Sequence, residues 1–366
     1  MKNNVKNIVT SLIIIAFVLG FSIFAWLKPA DDISLSERRA LVQMPELNKN
    51  SLFSGSFTQN FEKYATDQFP LRDTFRAIKG WVNVNLFNRG ENNGVYEYQG
   101  FLADIEYPVD EKSIDYAAER FNYVYRKYLK ENDIKPYLAV IPHKGQFTAE
   151  NKGYPNAEYD EIVDILKSGT PDFKYIDIKD TLTLQDYYRT DTHWRQEKIQ
   201  DVALHLGKEM AVDVTAQYEE KILPNDFNGV YSGQYALKVG SEKIHYLTNG
   251  DLEKCRVFDF ENNKSISVYD MEKASGKDPY EMFLSGPLSL VTIENDNAKS
   301  DRELIIFRDS YGSALAPLLA EGYSKITLVD IRYIHPDAVE KYVDFKNTDV
   351  LFIYSTSVLN NSETIK

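Results

Sequence analysis

An aspartate and a histidine stand two residues apart in Asp191-Thr192-His193-Trp194, a pairing that suits a general base and the carboxylate that orients it. A hydroxyl nucleophile is weak until its proton is removed, and a neutral imidazole with a reference pKa of about 6.5 is matched to that task. The chain offers such a hydroxyl in Ser310, within Phe307-Arg308-Asp309-Ser310-Tyr311-Gly312 and directly after the apolar run Leu304-Ile305-Ile306-Phe307. A strand there would hand over to a turn and a helix. That exposes Oγ at the carboxyl edge of a sheet, sets helix N-terminal N–H groups beside it for an oxyanion, and lets the backbone approach closely at Gly312. In an extended segment residues i and i+2 project to one side, so Asp191 and His193 face one site and Thr192 points away. The expected arrangement is a Ser-His-Asp site with Ser310 as nucleophile, His193 as base and Asp191 as orienter. Taken singly, each half also reads as a structural hydrogen-bonded pair or as a common turn.

The elements that must position these residues alternate between helical and strand patterns. Ile114, Ala117, Ala118, Phe121, Val124, Tyr125, Tyr128 and Leu129 mark one face of a helix, and Tyr137 to Ile141 reads as a buried strand ended by Pro142. A helix around Tyr159 to Leu166 and a short strand Tyr175 to Ile178 follow, and Ile199, Val202, Ala203, Leu206 and Met210 define a helix just after the Asp-His pair. Regular alternation resumes with strand Glu303 to Phe307, helix Ser313 to Ala320, strand Lys325 to Val329, helix Pro336 to Val343 and strand Val350 to Tyr354. This order predicts a parallel sheet with helices on its faces. Residues 212–300, rich in Tyr, Gly, Asn and Lys, read as a mostly β or irregular insertion, with alternating pieces at Ile222 to Tyr235 and Lys254 to Phe260.

Upstream, Ile8 to Leu27 is a charge-free apolar run of 20 residues, enough to cross a hydrocarbon layer of ~30 Å. Lys2 and Lys6 precede it, whereas Lys28 is followed by Asp31 and Asp32, which places the N-terminus in the cytoplasm and the bulk outside. The run exceeds the usual ~7–15 residue core of a signal peptide, and Ala25-Trp26-Leu27 is a poor cleavage site, so an uncleaved anchor is expected. The chain then divides into an anchor (1–30), a polar linker that need not be ordered (31–55) and one large domain (56–366) carrying the 212–300 insertion. Within that domain, apolar residues from Phe57 to Val82 recur at helical spacing and are broken by Pro70, predicting two amphipathic helices, and Gly94 to Leu102 suits a short hairpin.

Composition narrows the function classes. With 366 residues and 43% hydrophobic content the chain buries a large core. The formal net charge of -13 repels phosphate backbones, so nucleic acid is not an expected partner. Cys255 is the single cysteine, which rules out an intramolecular disulfide and a thiolate metal cluster. His143, His205, His245 and His335 are dispersed without ligand spacing, and no metal or cofactor is expected. Secondary candidates for substrate contact are Lys144, beside His143 after a strand, together with Arg332, Tyr333 and Tyr354 near the ends of the last two strands; Trp194 and Tyr311 join them.

The run Asp186 to Trp194, the later Phe307 to Gly312 and Leu328-Val329-Asp330-Ile331-Arg332-Tyr333 resemble the DHHW proteins, relatives of alginate O-acetyltransferases of the AlgX and AlgJ type. Ser36-Glu37-Arg38-Arg39, Phe69-Pro70-Leu71-Arg72 and Gly94-Val95-Tyr96 extend the resemblance over nearly the whole chain beyond the apolar run. It implies an SGNH-hydrolase-like fold in which the Asp-His pair precedes the serine, the reverse of that superfamily's usual order. It also implies Asp191, His193 and Ser310 as a triad, a membrane-bound O-acyltransferase as donor partner, and acetylation of an exported polysaccharide such as alginate or cellulose. The same triad run with water gives an acetylesterase, and a non-catalytic polysaccharide-binding scaffold is the alternative of another class. The chain departs from the family pattern at Thr192 and at Arg195-Gln196-Glu197-Lys198, where a smaller, Gly-containing sequence is expected. The superfamily's glycine and asparagine oxyanion blocks have no matching counterpart.

Overall fold

The computed structural model describes residues 2–34 and 36–366, with the backbone alone for residues 2–4, so the Lys2 charge counted above lies outside the described side chains. The chain divides into two compact units, Met1–Asn93 with Gly233–Lys238, and Gly94–Ser232 with Val239–Lys366.

In the first unit, helix α1 (Lys2–Leu27) contains a 23-residue stretch, Val5–Leu27, with an 18-residue window of mean hydropathy 2.7, long and apolar enough to cross a membrane. Helices α2 (Ser56–Asp67) and α3 (Arg72–Trp81) follow the two apolar periodicities, and the break falls at Pro70, after which Leu71 takes a left-handed conformation with φ 58°. Residues 31–55, expected as a linker free to be disordered, are bound into this unit. Arg39 forms a two-pronged pair with Asp67 at 2.8 and 2.6 Å, and the Gln68 amide bonds the Asp31 backbone at both N–H and C=O.

The second unit opens with the expected hairpin, β1 (Val95–Tyr98) and β2 (Phe101–Asp104). There follow α4 (Glu111–Val124), β3 (Tyr137–Ile141), α5 (Tyr159–Gly169), β4 (Lys174–Tyr175), α6 (Gln200–Glu209), β5 (Glu219–Ile222), the start of the helix α7 (Val230–Tyr235), whose residues from Gly233 on belong to the first unit, β6 (His245–Thr248), β7 (Arg256–Asp259), β8 (Lys264–Ile266), β9 (Leu290–Glu294), β10 (Glu303–Arg308), α8 (Gly312–Leu319), β11 (Lys325–Val329) and β12 (Thr348–Ser355). α4 starts at Asp110, whose carboxylate accepts the Ser113 N–H, satisfying one of the donors a helix start leaves open.

An eight-stranded sheet in the order β8-β7-β9-β11-β10-β12-β3-β4 carries the unit. Its half from β11 to β4 is parallel, and β9, β7 and β8 add antiparallel strands, so the 212–300 stretch extends the central sheet. Parallel strands buried on both faces read as unbroken apolar runs, and the pleat divides each run between two cores. Leu304 and Ile306 pack with Val202, Leu206 and Leu315 on one face, while Ile305 and Phe307 pack with Phe121, Ile162 and Leu166 on the other. Burial of each such side chain contributes about 1.5–3 kcal/mol.

Two expectations changed in contact with the tertiary structure. Ile222 to Tyr235, read as an alternating piece of a mostly β or irregular stretch, contains α7, because the Thr190–Asp191 turn supplies acceptors for the N–H groups of Gly229, Val230 and Tyr231 at the helix start. Strand β4 stops at Tyr175, yet Ile176 and Ile178 still bury themselves in the core, Ile178 already turning into the helical turn Lys179–Thr181.

Candidate active site

The Asp-His stretch is a tight loop. An antiparallel bridge between Tyr187 and Trp194 closes it, with Tyr188 N–H on His193 O at 3.0 Å and Arg195 N–H on Asp186 O at 2.7 Å. Asp191 and His193 therefore meet through a bend rather than along the extended segment expected from their spacing. One Asp191 oxygen accepts the His193 backbone N–H at 3.1 Å and stands 2.6 Å from His193 Nδ1; the other accepts the Val230 N–H at 2.9 Å. A carboxylate only accepts, so Nδ1 carries the ring proton and Nε2 presents its lone pair. Ser310 Oγ lies 2.7 Å from that Nε2.

Three groups hold the loop from outside. The Glu242 carboxylate accepts the N–H groups of Arg189 and Thr190 and the Thr190 hydroxyl at 2.8–2.9 Å. Lys144, wholly buried, donates to the carbonyls of Tyr188 and Asp191 at 2.8 and 2.7 Å. Burial pushes its ammonium down to about 8, against the opposing pull of Asp191 and Glu242. Gly229 closes the third side, where an added Cβ would stand 2.3 Å from Asp191 Cβ and from Thr190 O.

Ser310 is set by the turn between β10 and α8. The fully buried Asp309 accepts the Ser355 N–H and hydroxyl with one oxygen, both at 2.7 Å, and the Tyr311 N–H with the other at 3.1 Å. Gly312 is required because a Cβ there would come within 2.7 Å of Arg308 Cβ. The first-turn N–H groups expected as oxyanion donors are engaged inside the turn, Gly312 to Asp309 O and Ser313 to Ser310 O.

The substrate-contact candidates divide by burial. Trp194 is fully buried and its indole N–H donates to Tyr311 O at 3.1 Å, tying the base loop to the nucleophile turn. Tyr311 is buried, donates its hydroxyl to Thr192 O at 2.7 Å and lies 3.0 Å from Thr192 Oγ1. Tyr354 is buried against Phe121 on the far core, and Lys144 is spent on the loop carbonyls, so neither offers an open surface. Arg332 keeps partial exposure and binds Asp330 through Nε and Nη2 at 2.9 and 2.7 Å, and Tyr333 is half exposed beside it. The departure at Arg195–Lys198 has a structural use: buried Gln196 donates to Ala314 O and accepts the Leu247 N–H, joining α8 to β6. His143 is also buried. Burial lowers its imidazole, but Asp104 at 2.5 Å and Glu106 outweigh it and hold the pKa above the usual value.

The 212–300 stretch supplies a residue that the sequence did not signal. The Tyr280 ring stacks on the His193 imidazole at 3.9 Å and 13°. A base that becomes cationic during reaction gains from a ring face against it. Replacing Tyr280 with Leu is expected to lower kcat about tenfold with KM little changed, while Phe keeps the wild-type rate. Steady-state kinetics of the two variants decides it, and equal losses in both would transfer the role from the ring to its hydroxyl.

A mostly parallel sheet, helices on both faces and a serine at a strand-to-helix turn facing an Asp-His pair from earlier in the chain define the class, an α/β protein with a Ser-His-Asp arrangement at its sheet edge. Solved structures share the fold: a DHHW family protein from Eubacterium siraeum matches with TM-score 0.62 and 23% identity over 75% of this chain and 95% of that one. Bacillus cereus PatB1 matches with TM-score 0.59 and 19% identity over 74% and 98%, and PatB1 with a sulfonyl adduct gives TM-score 0.58 and 20% identity over 74% and 96%. No family model and no curated protein matches the chain.

Proposed function

We propose that this chain is a membrane-tethered O-acetyltransferase that moves acetyl groups onto an exported polysaccharide through an acetyl-Ser310 intermediate. The observation that carries the reading is the continuous line from Asp191 to His193 Nδ1 at 2.6 Å and from Nε2 to Ser310 Oγ at 2.7 Å, together with the motif resemblance to the DHHW proteins. Ser310 Oγ attacks the acetyl carbonyl as Nε2 takes its proton, and the donor's leaving group departs with that proton. A sugar hydroxyl then gives its proton to Nε2 and attacks the acyl-serine, and Ser310 leaves with the proton restored. Asp191 holds Nδ1–H toward itself throughout. The apolar helix α1 suits an anchor with the second unit outside the cytoplasm, where a membrane-bound O-acyltransferase would supply the acetyl group.

Incubation with p-nitrophenyl acetate and analysis by intact mass is expected to show one added acetyl group, lost in Ser310→Ala. Adding alginate- or cellulose-type oligosaccharides is expected to yield acetylated glycan. Acetate release without glycan acetylation would replace the transferase by an esterase, and glycan binding with an unlabelled Ser310 would replace both by a scaffold.

A further inference from the structure

Helix α3 leaves a row of large apolar side chains exposed while two of its arginines are drawn inward. Two of its arginines turn inward while Asp73 and Lys79 stay exposed: Arg72 and Arg76 both pair with Glu37, at 2.6 and 3.1 Å, and their side chains are only 17% and 16% exposed. Leu71, Phe75, Ile78 and Trp81 recur at helical spacing beside the arginines and stay open, with Leu71 58%, Ile78 53% and Trp81 56% exposed. In water such a stripe would be buried and the arginines solvated.

This stripe is continuous with the apolar helix. Phe69 stacks on Phe21 of α1 at 5.4 Å, and Phe75 meets the same ring edge-on at 5.7 Å. Phe21 stands six residues before Leu27, the end of α1, which at 1.5 Å per residue sets it about 9 Å below the end of the span. Helices that lie in a membrane interface bury their apolar face about 5–10 Å into the boundary of headgroups and acyl chains, so the contact with Phe21 holds α3 at that depth. Beside it, α1 and α2 enclose an apolar groove of about 390 Å³, lined by Phe17, Phe21, Ala25, Phe61 and Phe69 among others. Its dimensions suit a lipid chain and its walls offer little to water.

We infer that α3, with the groove between α1 and α2, is an interfacial collar inserted into the monolayer through which the span emerges, its occupant being bilayer lipid. The inference rests on reading α1 as a membrane span. It explains why the arginines of α3 pair inward, and it makes the first unit a two-point attachment rather than a single tether.

Tryptophan placement allows the span and the collar to be tested separately, since the chain's three tryptophans are Trp26, Trp81 and the fully buried Trp194. The full chain is reconstituted in phosphatidylcholine–phosphatidylglycerol vesicles whose acyl chains carry bromine near the carbonyl end. With Trp194 emission subtracted by means of the Trp26→Phe/Trp81→Phe double variant, the Trp26→Phe protein is expected to lose about half or more of its Trp81 emission to the bromines. The Trp81→Phe protein reports on the span through Trp26. Quenching of Trp26 with none of Trp81 overturns the collar and leaves the span standing. Quenching of neither overturns the span reading and the collar with it.

Discussion

Asp191→Asn is expected to lower kcat about 10⁴-fold while leaving the fold intact, because it reverses the direction of one hydrogen bond. In the native loop one carboxylate oxygen serves two donors on His193, its backbone N–H and Nδ1–H, and the other serves the Val230 N–H. An amide has a single accepting oxygen. If that oxygen faces Val230, the NH2 group meets the His193 backbone N–H and forces Nδ1 to become an acceptor. The ring proton then sits on Nε2, and the atom 2.7 Å from Ser310 Oγ donates where it should accept. If the oxygen faces His193, the NH2 group is pressed against the Val230 N–H and a buried donor loses its partner. The first arrangement disables the base, and the second keeps the tautomer only by leaving the Val230 N–H without its partner. Steady-state rates with near-UV circular dichroism as the folding control check this; a loss under tenfold would remove Asp191 from the mechanism.

Gly229→Ala is the second large effect, and it acts at a residue that never touches substrate. The new methyl would sit 2.3 Å from Asp191 Cβ and 2.3 Å from Thr190 O, against an ordinary contact of about 3.5–4.0 Å. One side must move by roughly 1 Å, and a shift of that size at a reacting centre costs about 10² in rate. Overpacking of this kind costs about 1–3 kcal/mol of stability. The expected result is a kcat reduced about 100-fold with acetylation of Ser310 slowed in parallel, measured beside the thermal midpoint. A variant of lowered stability but wild-type kcat would make Gly229 a packing residue with no part in positioning the triad.

Much of the architecture was legible in the chain because its strands are buried on both faces. Tyr137 to Ile141, Glu303 to Phe307 and Lys325 to Val329 read as strands from unbroken apolar runs, and β3, β10 and β11 occupy nearly the same residues. Short or exposed pieces were less legible. Val230 to Tyr235 becomes helical through bonds to Thr190 and Asp191, residues far away in sequence, and no local propensity announces that. The same holds for residues 31–55, whose polar composition suggested a linker and whose Arg39 and Asp31 found partners in Asp67 and Gln68.

For the site, residue types and spacing alone proposed Asp191, His193 and Ser310 and the order in which they would act, because imidazole, carboxylate and hydroxyl chemistry is local to each side chain. Whether they meet is a matter of chain path. Positions 117 apart stand at 2.7 Å because Trp194 bonds Tyr311 O and Gln196 bonds Ala314 O, drawing the base loop onto the nucleophile turn. Tertiary structure also decided which polar residues remain open: Lys144, Trp194 and Tyr354 carry suitable groups but are buried and spent on the interior, whereas Tyr280, from the least regular stretch, lies against the imidazole. Residue chemistry is written one position at a time. Burial and juxtaposition belong to pairs of residues brought together by the sheet and its loops, which is why only the folded chain could settle them.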